Sequence, residues 1–244
     1  MEKVLEVRNL VRNGILNDVS FDVKKGELLA IMGPSGSGKS TLLYHVSGLE
    51  HIEEGHVVLG GESIGEMTED DLADFRLTKT GFVFQQMNMM ASLDILDNIL
   101  LPAYHACHTK TEKRQKKERA LALMKKMQID SLADREISKV SGGQLQRACI
   151  CRSLINDPEI LFADEPTGAL SRSNAMDIMT ELLRLSDEGT TILMVTHDSK
   201  VASFCDRVLY LLDGSIKGEL AFSGSEEQPE KEERIVSWLQ QLGW

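Results

Sequence analysis

Long apolar segments are absent from this sequence. No uninterrupted apolar stretch approaches the roughly 20 residues that a membrane-spanning helix requires. The first residues, Met1–Val7, lack the basic start and the apolar core of a secretory signal. We therefore expect a cytoplasmic protein, which would reach the inner face of the cell membrane only by docking on a membrane protein.

An excess of positive charge is also absent. The chain has 27 Lys and Arg against 38 Asp and Glu, which gives a formal net charge of −11. A protein that coats nucleic acid needs clustered cations to displace counterions, so we expect no nucleic-acid partner. The charge does not count against ATP, because backbone dipoles and one lysine dominate the potential inside a small site.

Metal-ligand spacing is absent among the four cysteines, at positions 107, 149, 151 and 205. Cys149 and Cys151 are two residues apart in a segment predicted to be helical, so their side chains point to different sides. The cysteines are therefore interpreted as small buried thiols in a reducing compartment.

The sequence does contain enough apolar material for one sizeable α/β domain, with 42% hydrophobic residues in 244. Residues 1–32 alternate in hydrophobicity as strands do. Later apolar runs without alternation are typical of strands buried on both faces of a mainly parallel sheet, with helices between them. These runs are Leu28–Met32, Gly81–Phe84, Ile160–Ala163, Thr191–Val195 and Val208–Leu212.

Changes in composition predict the domain organisation. Residues 1–85 and 141–222 are assigned to the α/β core, and residues 86–140 to an inserted helical subdomain. The insert contains the charged run Lys110–Arg119, which leads into apolar residues at helical spacing and is interpreted as the solvated face of an amphipathic helix.

The C-terminal residues 223–244 differ again in composition. Residues 223–234 are polar and acidic and are interpreted as a linker. After them, Ile235, Trp238, Leu239 and Leu242 recur at helical spacing and predict a short terminal helix.

A phosphate-binding motif follows the buried run Leu28–Met32. Residues 33–40 fit the pattern G-x-x-x-x-G-K-[ST] and precede a run compatible with a helix. The glycines let backbone N–H groups turn inward around a phosphate, and the helix N-terminus adds positive potential. Lys39 is expected to reach the β- and γ-phosphates, and the Ser40 hydroxyl to ligate Mg²⁺. The candidate ATP-binding residues are Gly33, Pro34, Ser35, Gly36, Ser37, Gly38, Lys39, Ser40 and Thr41. By itself this motif would serve a GTPase or a small-molecule kinase equally well.

Two carboxylates end a later strand, where Ile160–Ala163 leads into Asp164 and Glu165. Ligands of open α/β sheets bind at the carboxyl ends of the strands. Asp164 is suited to hold Mg²⁺, directly or through a water, and Glu165 is suited to polarise the attacking water as a general base.

A second anion-binding helix start lies between these motifs. Ser141 is a natural N-cap, and Gly142 and Gly143 expose backbone N–H groups at the positive end of a helix that also contains Gln144. An ordinary helix start would look the same in isolation. The run Val140–Gln144, about twenty residues before Asp164 and about a hundred after the phosphate loop, resembles the signature of ATP-binding-cassette (ABC) ATPases.

The resemblance covers residues 3 to about 220, with the motifs in the family's order. It implies a P-loop NTPase core with an N-terminal antiparallel β subdomain and an inserted α-helical subdomain. It also implies that Gln85 senses Mg²⁺ and links the core to the helical subdomain, and that His197 contacts the γ-phosphate. The predicted catalytic residues are then Glu165, His197 and Gln85, and the predicted metal ligands are Ser40, Gln85 and Asp164.

ABC cassettes pack head to tail, and the resemblance therefore implies a second copy of the chain as partner. The phosphate loop of one copy and Ser141–Gln144 of the other would hold the same ATP. Hydrolysis removes the phosphate that bridges the two positive surfaces, and the pair opens.

Two positions depart from the family pattern. The family usually places an aromatic residue upstream of the phosphate loop, where it stacks on adenine, but no aromatic residue precedes Phe21 here. The contact to the base therefore stays open. The segment Gly168–Ser171 ends in serine where the family usually has aspartate, which is expected to loosen communication between the two sites without abolishing hydrolysis.

Within the family, Gly81–Met90 and Asp164–Gly168 are similar to ATPases of macrolide exporters, lipoprotein-release systems and bacitracin-type antimicrobial-peptide transporters. The last group tends to share the C-terminal Ser237–Trp244 pattern. Their ATPase pairs with a membrane permease, for which we expect Met87–Leu101 to form the contact, with packing between subdomains as the alternative.

The favoured interpretation is the energising subunit of a transporter for antimicrobial-peptide or drug resistance. One alternative is the same ATPase driving a signalling or cell-division permease that moves no substrate. Another is a soluble cassette ATPase in DNA repair or translation, which is disfavoured because such proteins usually carry two cassettes or large insertions.

Overall fold

The structure, a computed structural model, describes residues 2–244. Ten strands follow in order, β1 Lys3–Arg12, β2 Leu16–Lys24, β3 Leu28–Met32, β4 Glu54–Leu59, β5 Glu62–Ser63, β6 Thr80–Val83, β7 Ile160–Asp164, β8 Ile192–Thr196, β9 Arg207–Leu212 and β10 Ser215–Ala221. The α-helices of this part of the chain are α1 Lys39–Val46, α2 Glu69–Lys79, α3 Ile95–Ala106, α4 Lys110–Lys126, α5 Gly142–Leu154, α6 Arg172–Asp187, α7 Ser199–Ala202 and α8 Gln228–Gln241.

A six-stranded sheet forms the centre of the molecule, in the order β10-β9-β3-β8-β7-β6. All neighbours from β9 to β6 are parallel, and only β10 pairs antiparallel. Every residue of β3, β7 and β8 is buried, which explains why their sequences are continuous apolar runs without alternation. The predicted mainly parallel sheet is confirmed.

A second, antiparallel sheet lies at the N-terminal side, in the order β2-β1-β4-β5. Its inward side chains pack with one face of the central sheet in a shared apolar cluster that includes Leu5, Leu16, Phe21, Ile31 and Val195. This sheet and the six-stranded sheet together match the predicted core with an N-terminal antiparallel β subdomain.

Three helices, α3, α4 and α5, pack against one another beside the central sheet. Helix α4 begins with a capping box between Thr109 and Glu112 and buries Ala120, Leu123 and Met124. Its charged run is mainly exposed, as predicted, but the Lys116 and Arg119 side chains also donate hydrogen bonds to the Ile155 carbonyl (3.0 and 3.1 Å). These bonds satisfy a free carbonyl where α5 ends.

The C-terminal residues correct one prediction. Residues 228–234 are not a linker, because α8 already begins at Gln228. Pro229 fits the first turn, where its missing N–H group has no intrahelical partner to lose. The cationic groups of Lys231 and Arg234 then lie over the Phe222 ring, 5.1 and 5.3 Å from its centroid. These contacts hold the first turns of α8 against Phe222, although the composition of residues 228–234 by itself predicts disorder.

Three cysteines, Cys149, Cys151 and Cys205, are buried, and Cys107 is partly buried. Burial raises the pKa of the Cys149 thiol to about 11 and that of Cys151 to about 12. Across residues 2–244, no helix combines the length and apolar character needed to cross a bilayer.

Candidate active site

Four neighbouring parallel strands place the predicted residues at one edge of the central sheet. The phosphate loop follows β3, His197 follows β8, Asp164 and Glu165 end and follow β7, and Gln85 lies just beyond β6. Because the carboxyl ends of parallel strands share an edge, four sequence segments meet where open α/β sheets bind ligands.

The phosphate loop has a backbone that requires glycine. Gly36 and Gly38 have φ values of 83° and 99°, in the left-handed region. A Cβ on Gly33 would overlap the Leu211 carbonyl oxygen. The Ser37 hydroxyl is buried without a hydrogen-bond partner, a costly arrangement that a phosphate oxygen would relieve. The loop therefore fits an anionic ligand.

Lys39 lies across this loop. Its buried ammonium donates hydrogen bonds to the Gly33 and Pro34 carbonyls at 2.7 and 2.9 Å. Burial lowers the pKa of Lys39, and the negative charges of Glu165 and Asp164 oppose that shift. The cation is thus held beside both carboxylates and within the turn of the loop.

Both carboxylate oxygens of Asp164 accept hydrogen bonds from helix α1. The Ser40 hydroxyl donates to Oδ1 at 3.0 Å, and the Tyr44 hydroxyl donates to Oδ2 at 2.7 Å. Burial, followed by the contact with Asp164, raises the pKa of Tyr44 to about 12, so the hydroxyl keeps its proton. A hydroxyl beside a carboxylate is the oxygen donor set that suits Mg²⁺, which takes its other ligands from phosphates and water.

Tyr44 was missed by the sequence analysis. The available signal was its position four residues after Ser40, since residues at i and i+4 share one face of a helix. Recognising it required knowing that this face packs on β7.

Glu165, His197 and Gln85 form a second group at the same edge. Nδ1 of His197 lies 2.8 Å from Oε1 of Glu165. A Cβ on Gly168 would be 3.2 Å from Gln85 Nε2 and 3.3 Å from Glu165 Oε2, so both side chains flank this glycine. Glu165 adopts a φ of 45°, which is uncommon for a non-glycine residue. The arrangement holds the Glu165 carboxylate beside the histidine at the edge of the sheet.

The Ser141–Gln144 turn is set apart from this edge. Ser141 caps α5 through its side chain, and the Gln144 side chain accepts from the Ser141 N–H at 2.9 Å, which completes a capping box. Within residues 2–244, no hydrogen bond links this turn to the phosphate loop. Ser141, Gly142 and Gln144 are exposed and Gly143 is buried. The helix starts at Lys39 and at Gly142 are therefore separate within one chain.

The turn between β1 and β2 lies against the phosphate loop. A Cβ on Gly38 would be 3.2 Å from the Ile15 carbonyl oxygen and 3.3 Å from its Cγ2. Asn17 donates to the Gly214 carbonyl at 2.8 Å, and Gly214 donates to the Ser37 carbonyl at 3.2 Å, which fixes the turn in place. Ile15 itself is 40% exposed and gives this side of the loop an aliphatic surface.

Comparison with known proteins gives this geometry a family. The family model described as ABC transporter matches residues 16–168, more than half of the 244 residues. The chain belongs to the ABC transporter family. It is an ABC-type ATPase, and the resemblance stated from the motifs is confirmed.

Three relatives show how far the similarity to this ATPase extends. The macrolide export ATP-binding/permease protein MacB of Mannheimia succiniciproducens is 40% identical over 202 residues, which cover 83% of this chain and 31% of MacB. The bacitracin export ATP-binding protein BceA of Halalkalibacterium halodurans is 38% identical and covers 86% of this chain and 83% of its own.

The third relative, the cassette MJ0796 of Methanocaldococcus jannaschii, has been solved. It superposes with a TM-score of 0.79 at 37% identity, covering 90% of this chain and 99% of that chain. Its structures are dimeric, one of them a post-hydrolysis state bound to ADP and Pi. This ATPase spans about a third of the length of the macrolide-export relatives it matches.

Proposed function

We propose that this ABC ATPase works as a head-to-tail dimer that hydrolyses Mg-ATP to drive a membrane permease, for export of or resistance to antimicrobial peptides or drugs. The observation that carries the catalytic part is the contact between Glu165 and His197, 2.8 Å apart beside Gln85 at the edge that holds the phosphate loop. The His197 side chain is 60% exposed, whereas that of Glu165 is only 18% exposed.

Each side chain has a role in this proposal. Lys39 and the N–H groups of the loop bind the β- and γ-phosphates. Glu165 accepts a proton from water as the water oxygen bonds to the γ-phosphorus, and the bridging oxygen leaves with ADP. His197 holds the Glu165 carboxylate toward that water and contacts the γ-phosphate. Ser40, Asp164 and Gln85 would hold Mg²⁺, which neutralises charge on the phosphates when bound.

The dimer follows from the separation of the two helix starts. A site closed by one chain would place Ser141–Gln144 against its own phosphate loop, and no hydrogen bond joins them within the described residues. An exposed, capped helix terminus can instead meet the γ-phosphate held by another copy. The dimeric structures of MJ0796 support the same assembly.

The permease contact is proposed at a recess of about 530 Å³ beside residues 87–101. Of residues 87–101, Asn88 and Leu101 line this recess. Met90 is 49% exposed, whereas Met89 packs partly against the core. The segment is held to α5 by Arg152, which donates to the Met87 and Asn88 carbonyls at 2.8 and 2.7 Å. The apolar lining of the recess includes Leu77, Phe82, Phe84, Leu101 and Pro102. Docking there would place the ATPase on the inner face of the membrane.

Substitution of Glu165→Gln tests the catalytic proposal. Loss of the proton acceptor is expected to lower the ATPase rate by about 10²–10⁴-fold, because that is the contribution of a positioned general base. ATP affinity, measured by equilibrium titration with Mg²⁺ present, should change little, since the phosphate-binding groups remain. A variant that keeps a near-normal turnover rate would remove Glu165 from this role.

A further inference from the structure

The Tyr44 hydroxyl is an unassigned group in direct contact with the candidate metal site. It donates to Asp164 Oδ2 at 2.7 Å, the shorter of the two hydrogen bonds that this carboxylate receives from α1. Asp164 is only 7% exposed, so water is a poor substitute for either donor. A buried carboxylate with both oxygens occupied has one orientation available to it.

Ser40 and Tyr44 differ in what they do when a metal-nucleotide complex binds. The Ser40 hydroxyl is a predicted metal ligand, so its oxygen would bind the cation through a lone pair while its proton stays directed to Asp164. Tyr44 lies one helical turn further along α1, on the same face, and has no comparable second task. Its hydroxyl is therefore available to Asp164 alone.

The hydrogen bond between Tyr44 and Asp164 also affects how Asp164 interacts with Lys39. Asp164 and Glu165 both exert an attractive electrostatic effect on the Lys39 ammonium. In a direct ion pair, Lys39 would no longer be free to bind a phosphate, and Asp164 would no longer be free to bind a cation. Within residues 2–244 the two side chains form no such pair, and the Lys39 ammonium donates instead to the Gly33 and Pro34 carbonyls. With Oδ2 bonded to Tyr44, the Asp164 carboxylate keeps Oδ1 directed to Ser40 rather than turning to the lysine.

We propose that Tyr44 is a positioning residue, whose hydroxyl holds Asp164 in the orientation that accepts the nucleotide-bound divalent cation. The inference rests on the proposed role of Asp164 as a metal ligand. Partners that orient a ligating carboxylate typically contribute 10–100-fold to metal affinity or activity, although they never touch the metal. Tyr44 acts only through Asp164, and its effect should therefore appear in metal dependence.

The test compares the full chain with Tyr44→Phe, which keeps the ring and its packing and removes only the hydroxyl. Tyr104→Phe is the matched control, since Tyr104 is exposed on α3. Binding of a non-hydrolysable ATP analogue is titrated in EDTA and in saturating Mg²⁺, and the half-saturating Mg²⁺ concentration is then measured at fixed analogue. We expect Tyr44→Phe to raise that concentration by about 10-fold, with affinity in EDTA within about twofold.

Two results would overturn the proposal. An unchanged half-saturating Mg²⁺ concentration would show that the hydroxyl does not orient the metal ligand. An equal loss of affinity with and without Mg²⁺ would show a structural role.

The Asp164→Asn background separates this inference from the proposed function. If Tyr44 acts through Asp164, the second substitution should change the metal dependence of Asp164→Asn by less than about twofold, because coupled residues are not additive. If the effects of the two substitutions on the half-saturating Mg²⁺ concentration multiply, Tyr44 acts independently of Asp164. If Asp164→Asn alone leaves the Mg²⁺ dependence intact, the metal-site assignment fails with it. If Asp164→Asn changes the Mg²⁺ dependence but Tyr44→Phe does not, the metal-site assignment stands and only the proposal for Tyr44 fails.

Discussion

At the scale of single residues, the phosphate side of the site and the base side have different origins. Gly36, Gly38 and Lys39 have conformations and contacts that their motif implies, because the motif describes a local turn. Ile15 has no motif, and its position against Gly38 arises from the β1–β2 turn and Gly214. We propose that the adenine base packs on Ile15, which would contact it through apolar area alone and make no hydrogen bond to its edge.

We expect Ile15→Tyr to tighten ATP binding by roughly 2–10-fold, because aromatic stacking adds about 0.5–1.5 kcal/mol beyond area burial. The measurement is an equilibrium titration with ATP and, in parallel, with inorganic tripolyphosphate, which has no base. Tripolyphosphate affinity should be unchanged. Equal gains for both ligands, or none for ATP, would contradict the placement of the base at Ile15.

At the scale of elements, α8 shows how packing overrides composition. Its acidic first half lacks the apolar content of a stable helix, but Ile235 and Leu239 are fully or almost fully buried in the main core cluster. Lys231 also donates to the Cys205 carbonyl at 3.2 Å, which anchors the helix beside α7. Most helical stability in proteins comes from such a packed face rather than from propensity.

Substitution of Leu239→Ala should lower the free energy of unfolding by about 2–5 kcal/mol, because it leaves a cavity in this cluster. The matched control is Val236→Ala on the same helix, whose side chain is 39% exposed, and its effect should stay within about 0.5 kcal/mol. Urea unfolding of both variants measures the difference. Equal effects of the two substitutions would mean that α8 is not docked through Leu239.

At the scale of the whole molecule, the proposed composite site needs a second copy, because the two helix starts lie apart in one chain. The phosphate loop lies at the edge of the central sheet, while Ser141 begins α5, which packs with α3 and α4. Dimer formation should therefore depend on Ser141 although ATP binding by one chain does not.

The Glu165→Gln variant is expected to sediment as a dimer in Mg-ATP, because the bridging γ-phosphate is not hydrolysed. Adding Ser141→Arg should leave it monomeric, since the bulky side chain blocks the approach of the partner's phosphate loop. Loss of the N-cap costs α5 about 1 kcal/mol, so a melting curve accompanies the measurement. Ser225→Arg, at another exposed serine, should leave the dimer intact. A Ser141→Arg variant that still dimerises would refute the shared site.

The sequence predicted the buried strands, the phosphate loop and the helix beginning after Ser141, because each follows from a local pattern of burial, glycine or capping. It did not predict β4, whose polar residues such as Glu54 and His56 are exposed and obscure the strand pattern. Nor did it predict β10, an edge strand with exposed Lys217 and Glu219. The acidic α2 was missed for a related reason, as only Leu72 and Phe75 are buried.

What the sequence determined by itself was the chemistry available: a phosphate cradle, one lysine, two adjacent carboxylates and a histidine, in the order of an ABC ATPase. Tertiary structure alone decided which of them touch. The bond between Tyr44 and Asp164 spans 120 positions and depends on α1 packing against β7. The contact between His197 and Glu165 depends on β8 lying beside β7. Periodicity reports which face of an element is buried and carries no information about its neighbour, so these contacts exist only once the sheet order is set.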